Sequence, residues 1–229
     1  MRPVDRGLPP RTYTNYQHAQ ADLVERLGEY CSYCERRLET HIAVEHIQPK
    51  SRVPALCNDW SNFLLSCVNC NSCKKDIAIV VDDYFWPHRD NTLLAFDYLP
   101  AGMVVPHPNL TTANVKKAQS TITLLGLDRE PGRPNFKRQD KNKDKRWQRR
   151  LEAWELAQRD LQRLNINNSN EVRELIVEHA LAKGMFSIWL KVFENDSDMK
   201  QRLISSFKGT AMNCFDASYC SCTRPGGNL

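Results

Sequence analysis

The chain of 229 residues holds no apolar run approaching the ~20 residues of a membrane-spanning helix. Its first residues, MRPVDRGLPPRTYT, lack the apolar core that a secretory signal carries. No internal repeat or low-complexity tract interrupts it, which excludes a repeat array. A cytoplasmic, reducing location without membrane attachment is therefore expected. There, nine cysteines point to metal binding more than to disulfides. What is present suits a folded protein. Hydrophobic residues make up 41% and charged residues 26%, and the length fits one large domain or two small ones.

The most informative stretch runs from Cys31 to Lys75. Two Cys-x-x-Cys pairs bracket it, Cys31 with Cys34 and Cys67 with Cys70. That spacing lets one tight turn aim two thiolates at one ion, and two such turns make a tetrahedral structural Zn²⁺ site. The plainer alternative is four unligated core cysteines. The 32 residues between Cys34 and Cys67 exceed a usual zinc-ribbon spacer of roughly 15–20, so they should form a unit of their own. Within them, Val44-Glu45-His46-Ile47 alternates apolar and polar residues like a half-buried strand. Pro49, Lys50 and Ser51 break it into a loop. A second apolar run, Phe63 to Leu65, lies beside Asn62, and Asn71 to Lys75 suits a short helix. The expected outline is strand, loop, strand and helix, held at its ends by zinc.

These residues resemble the HNH endonucleases. The resemblance rests on Cys-x-x-Cys, Glu-His-Ile-x-Pro-Lys-Ser, Asp-Trp-x-Asn-x-Leu-Leu and Cys-x-x-Cys-Asn-x-x-x-Lys, in that order. It implies a ββα-metal fold. It also implies that His46 is the general base, that Asn62 holds it, and that Asn71 fills a third position where many members have His. Asn71 offers a carbonyl oxygen suited to a hard cation such as Mg²⁺ or Mn²⁺. The chemistry is consistent. A histidine titrates near ~6.5 and accepts a proton at neutral pH, while a divalent cation neutralises phosphate charge. Glu45 points to the strand face opposite His46, and either binds that cation or caps a neighbouring backbone group. The resemblance favours the cation.

Elsewhere the pattern is structural. Thr14 to Leu27 reads as an amphipathic helix. Ile77 to Val81 is a β-branched run, and Leu94 to Tyr98 and Met103 to Val105 read as strands of a small sheet. His88 either approaches the phosphate site or belongs to an aromatic segment covering the core. Helices are expected at Thr112–Leu125, Lys145–Leu164, Ser169 or Asn170 to Lys183, Phe186–Phe193 and Met199–Phe207, before an irregular tail. Residues 133–150 hold nine Lys or Arg against two Asp, a local net charge of +7 in a chain of +5. Such a cluster suits a nucleic-acid backbone, or else a solvated face or partner surface. Arg146, Arg149 and Arg150, with Lys50, Lys74 and Lys75 near the core motifs, are the expected nucleic-acid contacts.

A longer resemblance adds Trp86-Pro-His-Arg-Asp-Asn, Leu124-Leu-Gly-Leu-Asp and Gly209-Thr-Ala-x-x-Cys-Phe-Asp to the core. Together they resemble the HNH subunit of two-gene anti-phage systems of the Septu type, including those attached to retrons. That resemblance implies an ATPase partner. The expected fold class is α+β: an N-terminal arm and helix over residues 1–30, a zinc-stapled ββα-metal unit with a small β segment over 31–112, and a helical region over 113–229. The expected function is metal-dependent cleavage of DNA or RNA. The alternative is a non-catalytic zinc module that binds nucleic acid or protein.

Overall fold

The structure is a computed structural model that describes residues 1–133, 136 and 144–229. It is an α+β fold. Helix α1 (Ala19–Leu27) follows a 3-10 turn at Tyr16–His18, so the expected single helix begins later than its pattern suggests. Ala19, Leu23 and Leu27, four residues apart, bury one face, and Gly28 ends the helix at φ 71°. The chain then makes its first cysteine turn.

Strands β1 (Ala43–His46) and β2 (Phe63–Ser66) pair antiparallel, with His46 opposite Phe63 and Glu45 opposite Leu64. Every residue of β2 is buried, as its unbroken apolar run requires. Helix α2 (Val68–Lys74) begins three residues earlier than the Asn71 start expected. The reason is its cap: Cys67 sits at the N-cap and its Sγ accepts from the Cys70 backbone N–H at 3.4 Å. The second cysteine turn and the helix start are one structure.

No strand forms at residues 77–80, where Val80 is 63% exposed. The short helix α3 (Thr92–Ala95) leads into a hairpin of β3 (Phe96–Leu99) and β4 (Met103–Pro106). Helix α4 (Thr112–Leu125) is capped by Thr111 and stopped by Gly126 in the left-handed region. Then come α5 (Arg146–Ile166), α6 (Asn170–Lys183, capped by Ser169), α7 (Phe186–Val192) and α8 (Ser197–Ser206). One apolar cluster joins the cysteine turns, β1, β2, α1 and α4, and reaches Ala153 and Ile188. A second lies among α5 to α8. Of the basic segment at 133–150, residues 134, 135 and 137–143 lie outside the described residues. No helix among the described residues is long and apolar enough to cross a membrane.

The helical half is fastened to the first cysteine turn at one point. Arg36 bridges Gly184, and the Met185 N–H donates to the Glu35 carbonyl at 2.9 Å. The buried Glu35 carboxylate accepts from both the backbone N–H and the hydroxyl of Ser187. Gly184 has φ +71°, and a Cβ there would sit 2.4 Å from the Glu35 carbonyl oxygen. Gly184→Ala should therefore destabilise the fold by about 2–3 kcal/mol, through strain and backbone clash together. A urea titration should show a lower midpoint with an unchanged slope.

Candidate active site

Four thiols meet between the two cysteine turns. The Sγ atoms of Cys31, Cys34, Cys67 and Cys70 all lie within 4.8 Å of one another, and all four residues are buried. Zinc–sulfur bonds of about 2.3 Å in a tetrahedron place sulfurs about 3.8 Å apart. Cys34 and Cys67 are separated by 3.7 Å, which matches that spacing and exceeds any disulfide. The Cys31 Sγ also accepts from the Cys67 backbone N–H at 3.3 Å. Burial pushes the Cys34 and Cys70 thiols well above the usual thiol range, and neighbouring thiols add to the shift. A cation must supply the charge that holds four thiolates together, and the donor set fits zinc.

Arg146 supplies further positive charge. It is 2% exposed, and its Nη1 donates to the Cys70 Sγ at 3.1 Å and to the Leu125 carbonyl at 2.7 Å. Its Nη2 donates to the Gly126 carbonyl and to Asp144. Arg150, 1% exposed, donates to the carbonyls of Gly102 and Leu127. Both are withdrawn from any nucleic-acid surface, which corrects their expected role. Their guanidinium groups satisfy buried carbonyls and, for Arg146, a metal-site thiolate. Only Arg149 of the three is exposed, at 55%, with Glu152 at 2.8 Å.

Beside this cluster, β1, the loop that follows it, α2 and the turn at Tyr16 enclose a cleft of about 240 Å³ lined by Tyr16, Glu45, His46, Lys50, Asn71 and Lys74, among others. His46 is 8% exposed. Its Nε2 lies 2.8 Å from the Cys57 carbonyl oxygen, which can only accept, so Nε2 carries the proton. Nδ1 is then the basic nitrogen, and nothing among the described residues hydrogen-bonds it. Tyr16 and Phe63 fix the ring edge-on, at centroid distances of 4.7 and 5.3 Å. Burial lowers the His46 pKa below its ordinary value, with Lys50 and Lys74 adding to the shift against the Cys57 carbonyl. The imidazole is neutral at pH 7.

Asn62 does not hold that ring. Its carboxamide oxygen accepts from the Gln48 N–H at 2.8 Å, and its Nδ2 donates to the carbonyls of Gln48 and Leu56. Asn62 instead clamps the loop that leaves β1, and the Cys57 carbonyl orients the imidazole. Glu45 is buried and paired with Lys74 at 2.9 Å, and the same ammonium donates to the His46 carbonyl at 2.7 Å. Lys74 is 1% exposed, so it is a strut inside the site rather than a backbone-binding cation. Lys50 and Lys75 remain exposed, and Lys50 donates to the Tyr16 hydroxyl at 2.7 Å. Asn71 is exposed on the α2 side of the cleft, and Asp76 adds another carboxylate to its lining. Glu45, Asn71 and Asp76 each bring a side-chain oxygen to the lining of this cleft. His88 lies elsewhere, among Arg6, Arg224 and Arg89, which together with burial hold its pKa well below the ordinary value. Sequence reasoning missed Tyr16, the Cys57 carbonyl and Asp76, since none belongs to a motif. Tyr16 sits 30 positions before His46 and carries no local signal.

Residues 31–76 match the family model for HNH endonuclease. The chain is 30% identical over 113 residues to a protein named Retron Vc95 putative HNH endonuclease from Vibrio cholerae serotype O1 biovar El Tor, covering 44% of this chain and 53% of that one. It is 42% identical over 55 residues to Septu protein PtuB from Bacillus thuringiensis, covering 23% of this chain and 21% of that one. The chain thus aligns to about half the length of the first relative and a fifth of the second. Both cysteine turns, β1, β2 and α2 lie within the stretch that is similar to HNH endonucleases.

Metal analysis of the purified protein should give one zinc per chain. Cys31→Ala should lose that zinc and the cooperative unfolding transition with it, because structural zinc contributes folding free energy directly. A folded, zinc-free wild-type protein would contradict the assignment.

Proposed function

We propose that this protein is a metal-dependent HNH endonuclease that hydrolyses phosphodiester bonds in DNA or RNA. It acts as the effector of a bacterial anti-phage system, in the cytoplasm, together with an ATPase subunit. The observation that carries the catalytic part is the state of His46, whose Nε2–H is committed to the Cys57 carbonyl while Nδ1 is left as a base in the cleft.

In this reading the cleft residues divide the labour. His46 takes a proton from water at Nδ1. The imidazolium so formed keeps its Nε2–H bond to Cys57, so the ring does not turn as it charges. Glu45 and Asn71 would hold a catalytic Mg²⁺ or Mn²⁺, with Lys74 keeping the Glu45 carboxylate in place. Such a cation, when bound, neutralises charge on the phosphate and the leaving oxygen. Lys50 and Lys75, exposed at the cleft, meet the phosphate backbone. The defence role is supported by the relatives named for retron and Septu systems, and the ATPase rests on the resemblance of the motifs outside the core to two-gene systems. The helical residues of 113–229 are the proposed contact for that subunit.

His46→Ala should lower the cleavage rate by about 10²–10⁴, as loss of a general base does, with zinc content unchanged. Asn62→Ala should cost less, because its effect on His46 passes through the loop. Excess Mg²⁺ or Mn²⁺ should partly rescue Glu45→Ala and Asn71→Ala but not His46→Ala. The wild-type rate should be flat near pH 7 and fall as acid protonates the base, with a midpoint below the ordinary 6.5 because burial lowers this pKa. A fully active His46→Ala protein would favour the non-catalytic binding module instead.

A further inference from the structure

A second cavity, of about 400 Å³, opens on the other side of α2 from the cleft. Asn69 faces this cavity and Asn71 faces the cleft, and two positions on an α-helix are turned roughly 200° apart. Arg36 and Arg37 from the first cysteine turn, Lys145 and Arg149 from the start of α5, and Lys183 from the end of α6 all line it. Glu39 is the carboxylate among the lining residues. Among the described residues, these five cations meet three carboxylates, which leaves a surplus of positive charge. Arg149 and Lys183 share Glu152, at 2.8 and 3.1 Å, and Arg37 reaches Glu29 only at 4.0 Å. Arg36 donates to the Asn69 carboxamide at 3.4 Å, and Lys145 has no ion-pair partner among the described residues.

The start of α5 sharpens the imbalance. A helix N-terminus carries partial positive charge and is stabilised by acids. This 21-residue helix has no acid in its first turn and its N-cap, Lys145, makes no side-chain capping bond, so the one acid at its start is Asp144, which accepts from the Arg146 N–H at 3.2 Å. Arg146 is accounted for by Asp144 and the Cys70 sulfur. Arg149 pairs with Glu152, whereas Lys145 has no such partner among the described residues. Local electrostatics that oppose the fold are expected where a ligand completes them.

The geometry points to a phosphate-binding site in this cavity, built to hold two or three adjacent phosphates at a distance from the scissile bond. Arginine forks suit phosphate oxygens in pairs, and lysine ammonium groups add point charge. A concave site of this size takes a compact chain of phosphates better than a flat protein face. The phosphates come either from a strand of nucleic acid or from a free nucleotide or polyphosphate. This site goes beyond the cleavage reading, and binding reports on it independently of turnover.

The test uses the full chain carrying His46→Ala, so that no strand is cut. Three probes are titrated by calorimetry at low salt: inorganic triphosphate, a short single-stranded oligonucleotide, and an oligo-aspartate peptide. Each is measured on the parent, on Lys145→Gln with Lys183→Gln, and on Lys50→Gln. Zinc content and thermal unfolding check that each variant is folded. The double variant should bind triphosphate about tenfold more weakly or worse, while Lys50→Gln leaves that binding unchanged. If a strand is the natural ligand, the double variant should also lose oligonucleotide affinity, and its salt slope should fall by about 0.7 per lost contact. If a free nucleotide is the ligand, only triphosphate binding should fall. Unchanged binding of both phosphate probes in the double variant would overturn the inference. So would an oligo-aspartate that binds the parent as tightly as triphosphate does. Loss in Lys50→Gln alone would leave the cleavage cleft as the only anion site.

Discussion

Everything in the catalytic unit depends on four sulfurs being held together. Cys31 and Cys34 end the segment that follows α1, while Cys67 ends β2 and caps α2, so the cluster joins parts of the chain 36 positions apart. Thiolates so close repel one another, and a zinc ion bound there would turn that repulsion into a cross-link. Arg146 extends the same logic outward. Its guanidinium lies against the Cys70 sulfur and binds the carbonyls that end α4, so metal-site charge also fixes the start of α5. A tetrathiolate zinc site carries net negative charge, and a buried arginine is stable beside it as it would not be in an apolar core.

The cleft is a consequence of that frame. The hairpin and α2 are held at their ends, which presses Lys74 of α2 against Glu45 of β1 and against the His46 carbonyl. Three side chains then set the position of His46. Lys74 fixes the strand, Asn62 fixes the loop after it, and Tyr16 closes the ring from above. Among the described residues, the one hydrogen bond of the imidazole runs from its Nε2–H to a backbone carbonyl, which can only accept. Unlike a carboxylate, a neutral carbonyl raises the imidazole pKa only weakly, so burial wins and the base stays neutral.

The parts of this arrangement that were legible in the sequence are those written in short spacings. Both Cys-x-x-Cys turns, the two strands of the hairpin and the helices from Thr112 onward, several with a capping residue and a stop, are local features. The cleft residues Glu45, His46 and Asn71 were found because the motifs that carry them are contiguous. What failed was the reading of charge. Lys74, Arg146 and Arg150 look like solvent cations in any window, yet their partners are 29, 76 and 48 residues away in Glu45, Cys70 and Gly102. Only tertiary structure tells a strut from a surface charge. The role of Asn62 was misread for a related reason: adjacency in a motif does not say which hydrogen bond is made. The β-branched run at Ile77 forms no strand, and Ile77 and Val80 are exposed.

The central claim is that His46 is held neutral, with its proton on Nε2 and its basic Nδ1 free. Long-range ¹H–¹⁵N correlation spectra of the zinc-loaded protein report the tautomer of each histidine directly. His46, assigned by comparison with His46→Ala, should show a protonated Nε2 and an unprotonated Nδ1 at pH 7.5, and should titrate below 6.5. A proton on Nδ1, or an imidazolium that persists at pH 7.5, would contradict the account.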